Sequence, residues 1–377
     1  MKVLLLSCNT GEGHHSAALA VQDALNERGI PNVLADPLSF AGKHTRKRAA
    51  DLYNSIIRNT PRTFGLIYRV GELADSNLPY SPIYFANSLY AAKMQSYIAD
   101  NGFDAVVSTH LYGMEALTAI RQKLGGTVPS YGVLTDYTCI PFFSDCKLDG
   151  YFIPHRDLTP ELTAHGLDER RFYPTGIPVA TRFASRLSKE QTRRRLGLPL
   201  DRRLYLVMTG GVGCGRISQL CDGLLAQETE PFLACVLAGK NQRLRQSLQE
   251  RYGADGQVQA MPFTREVNLY MNAADVLITK PGGLSSTEAA AARVPLVHVI
   301  TIPGCEEKNA AFFAAHGMSQ FTKSMEEAAR LAVSLGHSPD ACAAQCRRQA
   351  EEINANAARA IVDILCRGYP PARQIVS

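Results

Sequence analysis

The sequence contains no tryptophan, no cysteine pair of the C-x-x-C type and no long apolar run. Without a run of about eighteen apolar residues, no transmembrane helix is expected. The ten cysteines are scattered, and the closest pair is Cys342 and Cys346. Neither a zinc site nor a disulfide framework is therefore predicted, and a reducing cytoplasm fits this cysteine usage. Low-complexity segments and short repeats are absent as well.

Length and composition indicate a soluble globular protein with two domains. A chain of 377 residues exceeds one ordinary core, and its 46% hydrophobic and 20% charged residues are typical globular values. The stretch Met1–Cys8 is too short for a signal peptide and predicts a first β-strand. Because the net charge is only +5, the location of the charge is more informative than its sum.

The stretch Thr279–Ala289 predicts a strand, a glycine turn and a helix. Its glycines allow a close approach of backbone to a ligand, and Ser285 lies where a helix N-terminus favours phosphate. Glu288, one turn into the helix, is within reach of a ribose diol. These features predict a nucleotide site. A capped helix after a tight turn, with no ligand, is an equally good interpretation of this local pattern.

A second strand, glycine loop and helix occur at the N-terminus, where the loop carries His14 and His15. The loop does not match G-x-G-x-x-G, so a dinucleotide fingerprint is not met. Open α/β sheets bind ligands at strand ends, and a neutral histidine there is suited to act as a general base. The alternative for either residue is an ordinary histidine of a surface loop.

Three further strands of the first half each end in polar residues, at Thr109-His110, Thr135-Asp136 and Pro154-His155. The second half repeats the same rhythm from Leu204, with another glycine loop at 209–215. Alternating strands and helices predict parallel sheets covered on both faces. We therefore expect an α/β fold with two Rossmann-like domains facing across a cleft.

The segment from Lys43 to Tyr90 mixes basic residues with aromatic and aliphatic ones, and Asp51 is the single acid before Arg69. Such a surface suits docking on an anionic membrane, an RNA or an acidic protein, and an ordinary solvated helix pair is the plain alternative. The basic residues expected at a membrane or acceptor surface are Lys43, Arg46, Lys47, Arg48, Arg58 and Arg62.

The motifs together resemble a known family. The glycine loop, Ala-Gly-Lys-Asn, Lys-Pro-Gly-Gly-Leu-Ser-Ser-Thr-Glu-Ala and Pro-Gly-Cys-Glu-Glu-Lys-Asn are similar to the donor half of inverting GT-B glycosyltransferases. The N-terminal Gly-Glu-Gly-His-His-Ser-Ala resembles a segment of monogalactosyldiacylglycerol synthases and bacterial processive diacylglycerol glucosyltransferases. The resemblance implies transfer of a hexose from a UDP-sugar to a membrane lipid, diacylglycerol, by a cytoplasmic enzyme peripherally attached to the inner face of the cell membrane.

The resemblance also implies roles for individual residues. The catalytic base falls on His14, Asp136 is expected to orient it or the acceptor, and Glu306 and Asn309 approach the donor sugar. No cofactor is expected, since the UDP-sugar counts as a substrate, and no metal is expected to be essential, since the sequence shows no metal-binding cluster of acids. The remaining donor-binding residues are Gly211, Gly213, Gly215, Phe263, Gly282, Gly283, Ser285 and Glu288. The implied domains are 1–187 and 188–377, and the last helix, about 355–377, is expected to pack back on the first.

Several alternatives stay open. Cys305 stands where the lipid galactosyltransferases carry glutamine, so galactose, glucose and N-acetylglucosamine all remain candidate donor sugars. The acceptor is alternatively a polyprenyl-linked or soluble sugar. Two further alternatives are a UDP-sugar 2-epimerase and a non-catalytic UDP-sugar sensor. No nucleic-acid partner is expected, because the positive charge is local and no nucleic-acid-binding module is recognised.

Overall fold

The computed structural model places the chain in two compact units. Among the described residues, the first unit runs to Ala180 and resumes at Asn356, and the second runs from Thr181 to Ala355. The structure describes residues 1–8, 12–41, 80–184, 187–208, 216–254, 256–300 and 304–368.

The first unit is built on a six-stranded sheet in which every neighbouring pair is parallel. Its order is β2-β1-β3-β4-β5-β6. The strands are β1 Val3–Leu6, β2 Asn32–Ala35, β3 Ala105–Ser108, β4 Ser130–Val133, β5 Gly150–Phe152 and β6 Phe172–Tyr173. The helices are α1 Glu12–Glu27, α2 Pro82–Ser88, α3 Ala91–Asp100, α4 Leu111–Lys123, α5 Thr159–Ala164 and α14 Ala357–Cys366. Short 3₁₀ turns occupy Pro37–Ser39, Phe143–Asp145, Arg156–Leu158 and Glu169–Arg171.

Strands β1, β3 and β4 form the centre of this sheet and are fully buried. Central strands of a parallel sheet are covered on both faces, which explains why β1 is a continuous Val-Leu-Leu-Leu run. The register pairs Leu6 with Ser108, and Ser108 with Gly132. Because the three strands end side by side, the residues that follow them are brought together at one edge of the sheet.

The last described helix, α14, belongs to the first unit although it follows the whole second unit in sequence. Its Ile361 and Val362 are fully buried in the core cluster that contains Val21 and Leu25 of α1. A salt bridge between Arg359 and Glu27, 3.0 Å long and largely exposed, joins the same two helices. The apolar contact accounts for most of the stabilisation, because exposed ion pairs contribute little.

The second unit contains another six-stranded, all-parallel sheet, with the order β12-β11-β10-β7-β8-β9. Its strands are β7 Arg203–Met208, β8 Phe232–Leu237, β9 Val258–Met261, β10 Val276–Thr279, β11 Leu296–Val299 and β12 Gln320–Thr322. Its helices are α6 Lys189–Leu196, α7 Ile217–Gln227, α8 Gln242–Tyr252, α9 Val267–Ala273, α10 Gly283–Ala292, α11 Cys305–Ala315, α12 Met325–Gly336 and α13 Pro339–Glu352, and a 3₁₀ turn spans Thr181–Phe183.

The two parallel sheets with interleaved helices confirm the prediction of an α/β fold with two Rossmann-like domains. In the described part of the chain, no helix combines the length and the apolar character needed to cross a bilayer.

Asp275, which directly precedes β10, connects that strand to α6 and β7. Its carboxylate accepts hydrogen bonds from Lys189 at 2.7 Å, from Arg193 at 2.6 Å and from the Leu204 N–H at 2.7 Å. The Arg193 side chain is only 7% exposed and also donates to the Ala273 and Arg202 carbonyl oxygens. Burial alone would raise the pKa of Asp275, but the two cations and the N–H outweigh burial and lower it.

We predict that Asp275→Asn destabilises the protein by about 3 kcal/mol at pH 7, because it leaves the buried Arg193 guanidinium without its counter-charge. The folded-state pKa is lowered, so this stabilisation is fully present above the unfolded value near 3.8 and is lost as the pH falls through the folded value. Urea unfolding at pH 7 and at pH 3 measures both effects.

The control for this prediction is Glu190→Gln, which removes the exposed partner of Arg194 on the same helix. That change is expected to cost less than about 0.5 kcal/mol. Equal costs for the two substitutions would contradict a structural role for the Asp275 cluster.

Candidate active site

His14 lies in the first turns of α1, directly beyond the carboxyl end of β1. Its Nδ1 is 2.9 Å from the carbonyl oxygen of Thr109 and 2.9 Å from Thr135 Oγ1. Because a carbonyl oxygen only accepts, the proton resides on Nδ1 and is donated to Thr109. The Thr109 hydroxyl donates in return to the His14 carbonyl oxygen at 2.9 Å. The lone pair is thereby left on Nε2, as a general base requires.

The environment of His14 favours the neutral imidazole. Burial lowers its pKa, and the charge of Asp136 together with the Thr109 carbonyl offsets only part of that effect. The Nδ1–H of the ring is accepted by the Thr109 carbonyl oxygen, with the Thr135 hydroxyl oxygen as a second neighbour of the same nitrogen, while Asp136 acts on His14 through its charge. A neutral base at physiological pH is ready to accept a proton from a hydroxyl.

A second histidine, His110, lies against the first, with ring centroids 4.7 Å apart in an edge-to-face arrangement. Its Nδ1 accepts the Tyr112 N–H at 3.2 Å and caps α4. Burial, followed by the neighbouring His14, holds the pKa of His110 well below the usual histidine range. His110 is therefore a neutral, buried neighbour of the His14 ring.

In the second unit, the turn after β10 leads directly into α10. Gly282 is the N-cap residue of this helix, and no side chain of the described residues caps it. The first N–H groups of a helix lack intrahelical acceptors and attract anions, all the more without a side-chain cap. Gly283 is buried and Ser285 is half-buried in the first turn. This is the backbone geometry expected of a diphosphate site.

Glu288 lies farther along α10 and is half-buried. Burial raises the pKa of its carboxyl to about 8, and the charge of Arg182 opposes this rise. At neutral pH the carboxyl is therefore mostly protonated in this structure.

Glu306 and Asn309, the residues predicted to approach the donor sugar, are both buried on the first turns of α11. The structure brings them to the β10–α10 turn. Glu306 Oε1 is 2.9 Å from Lys280 Nζ, and Asn309 Nδ2 donates to the Pro281 carbonyl oxygen at 3.1 Å. The diphosphate turn and the start of α11 thus form one connected cluster.

The other predicted site residues are less informative. Phe263, predicted beside the uracil, is 53% exposed after β9, with Lys240 Nζ 5.9 Å from the centre of its ring. The glycines of the 209–215 loop and the basic residues predicted for the membrane surface lie outside the described residues. These residues are Gly211, Gly213, Gly215, Lys43, Arg46, Lys47, Arg48, Arg58 and Arg62.

Sequence reasoning did not find the buried residues that hold α10 in place. His298 on β11 bonds Ser286 through Nε2 at 2.9 Å and Ser319 through Nδ1 at 3.1 Å. Burial lowers the pKa of His298 to about 3, so this bridge is neutral. The sequence signal was a single histidine within an apolar strand, which does not reveal its partners. Thr109 and Thr135 were noted only as polar strand ends.

Two family models match the chain in succession. The model for monogalactosyldiacylglycerol (MGDG) synthase matches residues 14–179. The model for the glycosyltransferase family 28 C-terminal domain matches residues 205–361. The first match begins at His14, and the second includes Lys280, Glu288 and Glu306.

Individual proteins agree with these models. A processive diacylglycerol beta-glucosyltransferase of Bacillus pumilus (strain SAFR-032) is 25% identical over 318 residues, which are 84% of this chain and 82% of the relative. The crystal structure of Acinetobacter baumannii MurG superimposes with a TM-score of 0.64 at 18% identity, covering 97% of this chain and 99% of that one.

A UDP-GlcNAc 2-epimerase from Neisseria meningitidis, solved with UDP-GlcNAc, has a TM-score of 0.63 at 13% identity and covers 98% of this chain and 100% of its own. At such identities the solved structures establish the fold alone, and that fold is the two-domain GT-B architecture. The two family models and the curated relatives confirm the predicted family. The chain therefore belongs to the monogalactosyldiacylglycerol synthase and diacylglycerol glucosyltransferase family of UDP-sugar-dependent hexosyltransferases, with a family 28 C-terminal domain.

Proposed function

We propose that this enzyme moves a hexose from a UDP-sugar to diacylglycerol in a membrane and inverts the configuration at the sugar carbon. The observation that carries the proposal is the 2.9 Å contact between His14 Nδ1 and the Thr109 carbonyl oxygen, which requires the ring proton on Nδ1 and leaves the lone pair on Nε2. A neutral Nε2 takes the proton of the acceptor hydroxyl as that oxygen attacks the sugar. A single base and a single displacement give inversion.

The second unit supplies the donor side of the proposed reaction. As the bond between the sugar and UDP breaks, negative charge grows on the diphosphate. The uncapped N-terminus of α10 at Gly282 is suited to stabilise that charge without a metal ion. Glu288 is proposed to hold the ribose hydroxyls, and Glu306 and Asn309 to contact the sugar.

The lipid acceptor is proposed from the relatives, whose names describe them as diacylglycerol glucosyltransferases. A protein acting on such a lipid must reach the bilayer surface. We propose that it attaches peripherally to the inner face of the cell membrane through the basic residues between Lys43 and Arg62.

We predict that UDP is released from one UDP-hexose only when diacylglycerol is present in the vesicles. The assay offers UDP-glucose, UDP-galactose and UDP-N-acetylglucosamine in EDTA, with vesicles of neutral or anionic lipid. Faster release on anionic vesicles is expected, because basic residues are attracted to anionic lipid. Turnover that persists in EDTA supports metal-free transfer.

Other outcomes of this assay identify the alternatives. Release that ignores diacylglycerol contradicts the lipid acceptor and favours a polyprenyl-linked or soluble one. Conversion of UDP-N-acetylglucosamine to its 2-epimer without UDP release indicates an epimerase. Binding of UDP without turnover of any donor indicates a sensor.

His14→Ala is expected to lower kcat about 100- to 10,000-fold, the usual contribution of a general base. UDP affinity should stay within about twofold, because His14 belongs to the first unit and donor binding is assigned to the second. Initial rates and calorimetric titration with UDP measure the two quantities. The control is His165→Ala, a histidine of the same unit that bonds the Glu161 carbonyl oxygen.

The pH profile provides a further check on His14. Because burial lowers its pKa, the base remains neutral below pH 6.5, so the acid limb of kcat/KM should lie under that value. Turnover by His14→Ala equal to that of the parent enzyme would rule out the assigned role.

UDP binding is expected to tighten about five- to tenfold between pH 7 and 9, because the ribose hydroxyls need an ionised acceptor and the pKa of Glu288 is raised to about 8. The phosphates of UDP add little to this trend, since their last ionisation lies near pH 6. Titration calorimetry across this range measures it. Glu288→Gln should bind more weakly and show a flat profile, and a variant with the same slope would contradict the ribose contact.

A further inference from the structure

Lys280 forms an ion pair that the proposed roles of its neighbours do not explain. It follows β10 directly, and its Nζ lies 2.9 Å from Glu306 Oε1 in the first turn of α11. The Glu306 side chain is 9% exposed and that of Lys280 is 31% exposed. A residue assigned to the donor sugar is therefore held by a cation from the diphosphate turn.

The position of this cation is electrostatically unusual. A Cβ atom built on Gly282 would lie 3.9 Å from Lys280 Nζ, so the ammonium lies beside the N-cap of α10. Helix N-termini carry partial positive charge and disfavour cations nearby. Glu306 supplies the negative charge that offsets the Lys280 ammonium and the partial positive charge of the α10 N-terminus. A diphosphate at this turn carries more negative charge than one carboxylate and competes with Glu306 for Lys280.

We propose that Lys280 and Glu306 exchange partners when the UDP-sugar binds. Lys280 turns to the diphosphate, and the Glu306 carboxylate then accepts hydrogen bonds from hydroxyls of the donor sugar. This inference rests on the proposed function and assigns a cation to its leaving group.

In the proposed transfer step, every bond, proton and electron pair is accounted for by the two substrates and these residues. The acceptor oxygen forms a bond to C1 of the sugar while its proton goes to His14 Nε2. The bond from C1 to the β-phosphate oxygen breaks, and its electron pair leaves with UDP. Lys280 stabilises the charge that develops on that oxygen.

Neighbouring contacts allow the exchange to involve side chains alone. Asn309 holds the Pro281 carbonyl oxygen at 3.1 Å, which ties the turn to α11. Glu307 accepts the Gly304 N–H at 3.3 Å and closes the first turn of the helix. Glu306 stays favourably placed as an anion after Lys280 leaves, because it remains in the first turn of α11.

Lys280→Met should weaken UDP binding about 10- to 100-fold, the range for hydrogen bonds between charged groups. Uridine, which lacks the diphosphate, should bind within about twofold of its affinity for the parent enzyme. Calorimetric titration with both ligands gives the preference for UDP over uridine. An equal loss for UDP and uridine would overturn the role of Lys280, since a merely structural defect weakens both.

The matched control is Lys323→Met, which removes a lysine paired at 2.6 Å with Glu307, the neighbouring acid of α11. It should leave the preference for UDP unchanged. Lys280→Arg keeps the charge and is expected to retain most of the preference. The double variant Lys280→Met/Glu306→Gln removes both partners of the pair, so it should fold normally and still lack the preference.

Glu306→Gln tests the other half of the exchange. It releases Lys280, so UDP binding should be unchanged or tighter, while kcat for the UDP-hexose falls at least about tenfold through weaker sugar contacts. Weaker binding of UDP itself would contradict competition between Glu306 and the diphosphate. A parent enzyme that binds neither UDP nor uridine would instead contradict the proposed function, which separates the two failures.

Discussion

Parallel strand pairing is the constraint on which the chemistry of both units depends. A parallel sheet directs the carboxyl ends of all its strands to one edge, whatever their order in the sequence. In the first unit this edge collects Thr109 after β3, Thr135 after β4 and His14 from α1, which follows β1. In the second it collects Lys280 after β10 and Glu306 after β11. The residues of each cluster are far apart in the sequence, but they lie close together at one edge of the sheet.

Burial then sets protonation in both clusters, with opposite chemical results. Desolvation penalises the charged form of any group, so it lowers the pKa of the His14 imidazole and raises that of the Glu288 carboxyl. In the role proposed for the histidine, the neutral form is the reactive base. In the role proposed for the glutamate, the carboxyl must lose its proton before it can accept two ribose hydroxyls. Under these proposals the same physical effect favours catalysis at one residue and makes UDP binding pH-dependent at the other.

The sequence was sufficient for the features that depend on local pattern. Apolar runs such as Val3–Leu6 and Val276–Thr279 are strands, and the Gly282-Gly283 turn opens a helix as predicted. Residue contacts across the sheet were not predictable. The acceptor for the His14 proton is a backbone carbonyl, and any residue type at position 109 would supply one.

The buried bridge through His298 was missed for a related physical reason. The sequence of an apolar strand does not reveal which side chains will form hydrogen bonds with an imidazole inside it. The two partners here, Ser286 and Ser319, come from different parts of the chain. Lys280 and Glu306 each stand within motifs that the sequence did reveal. Their pairing depends on the register of β10 against β11, which aligns Thr279 with His298 and so brings the following turns together.

The residues around the β10–α10 turn that are proposed to bind the donor fall into two groups, one held rigidly and one able to change rotamer. This difference bears on the proposed selectivity for the sugar. Asn309 is buried and donates to the Pro281 carbonyl oxygen of the turn, and the buried His298 bonds the Ser286 side chain of α10. Glu306 is paired with Lys280, whose long side chain is flexible. A carboxylate released on a rigid helix accepts hydroxyls whose position, rather than number, decides the fit. In the proposed exchange, selectivity for the donor sugar then depends on the residues beside this carboxylate. Cys305 directly precedes Glu306 in α11, and its thiol bonds weakly where an amide would bind a hydroxyl firmly.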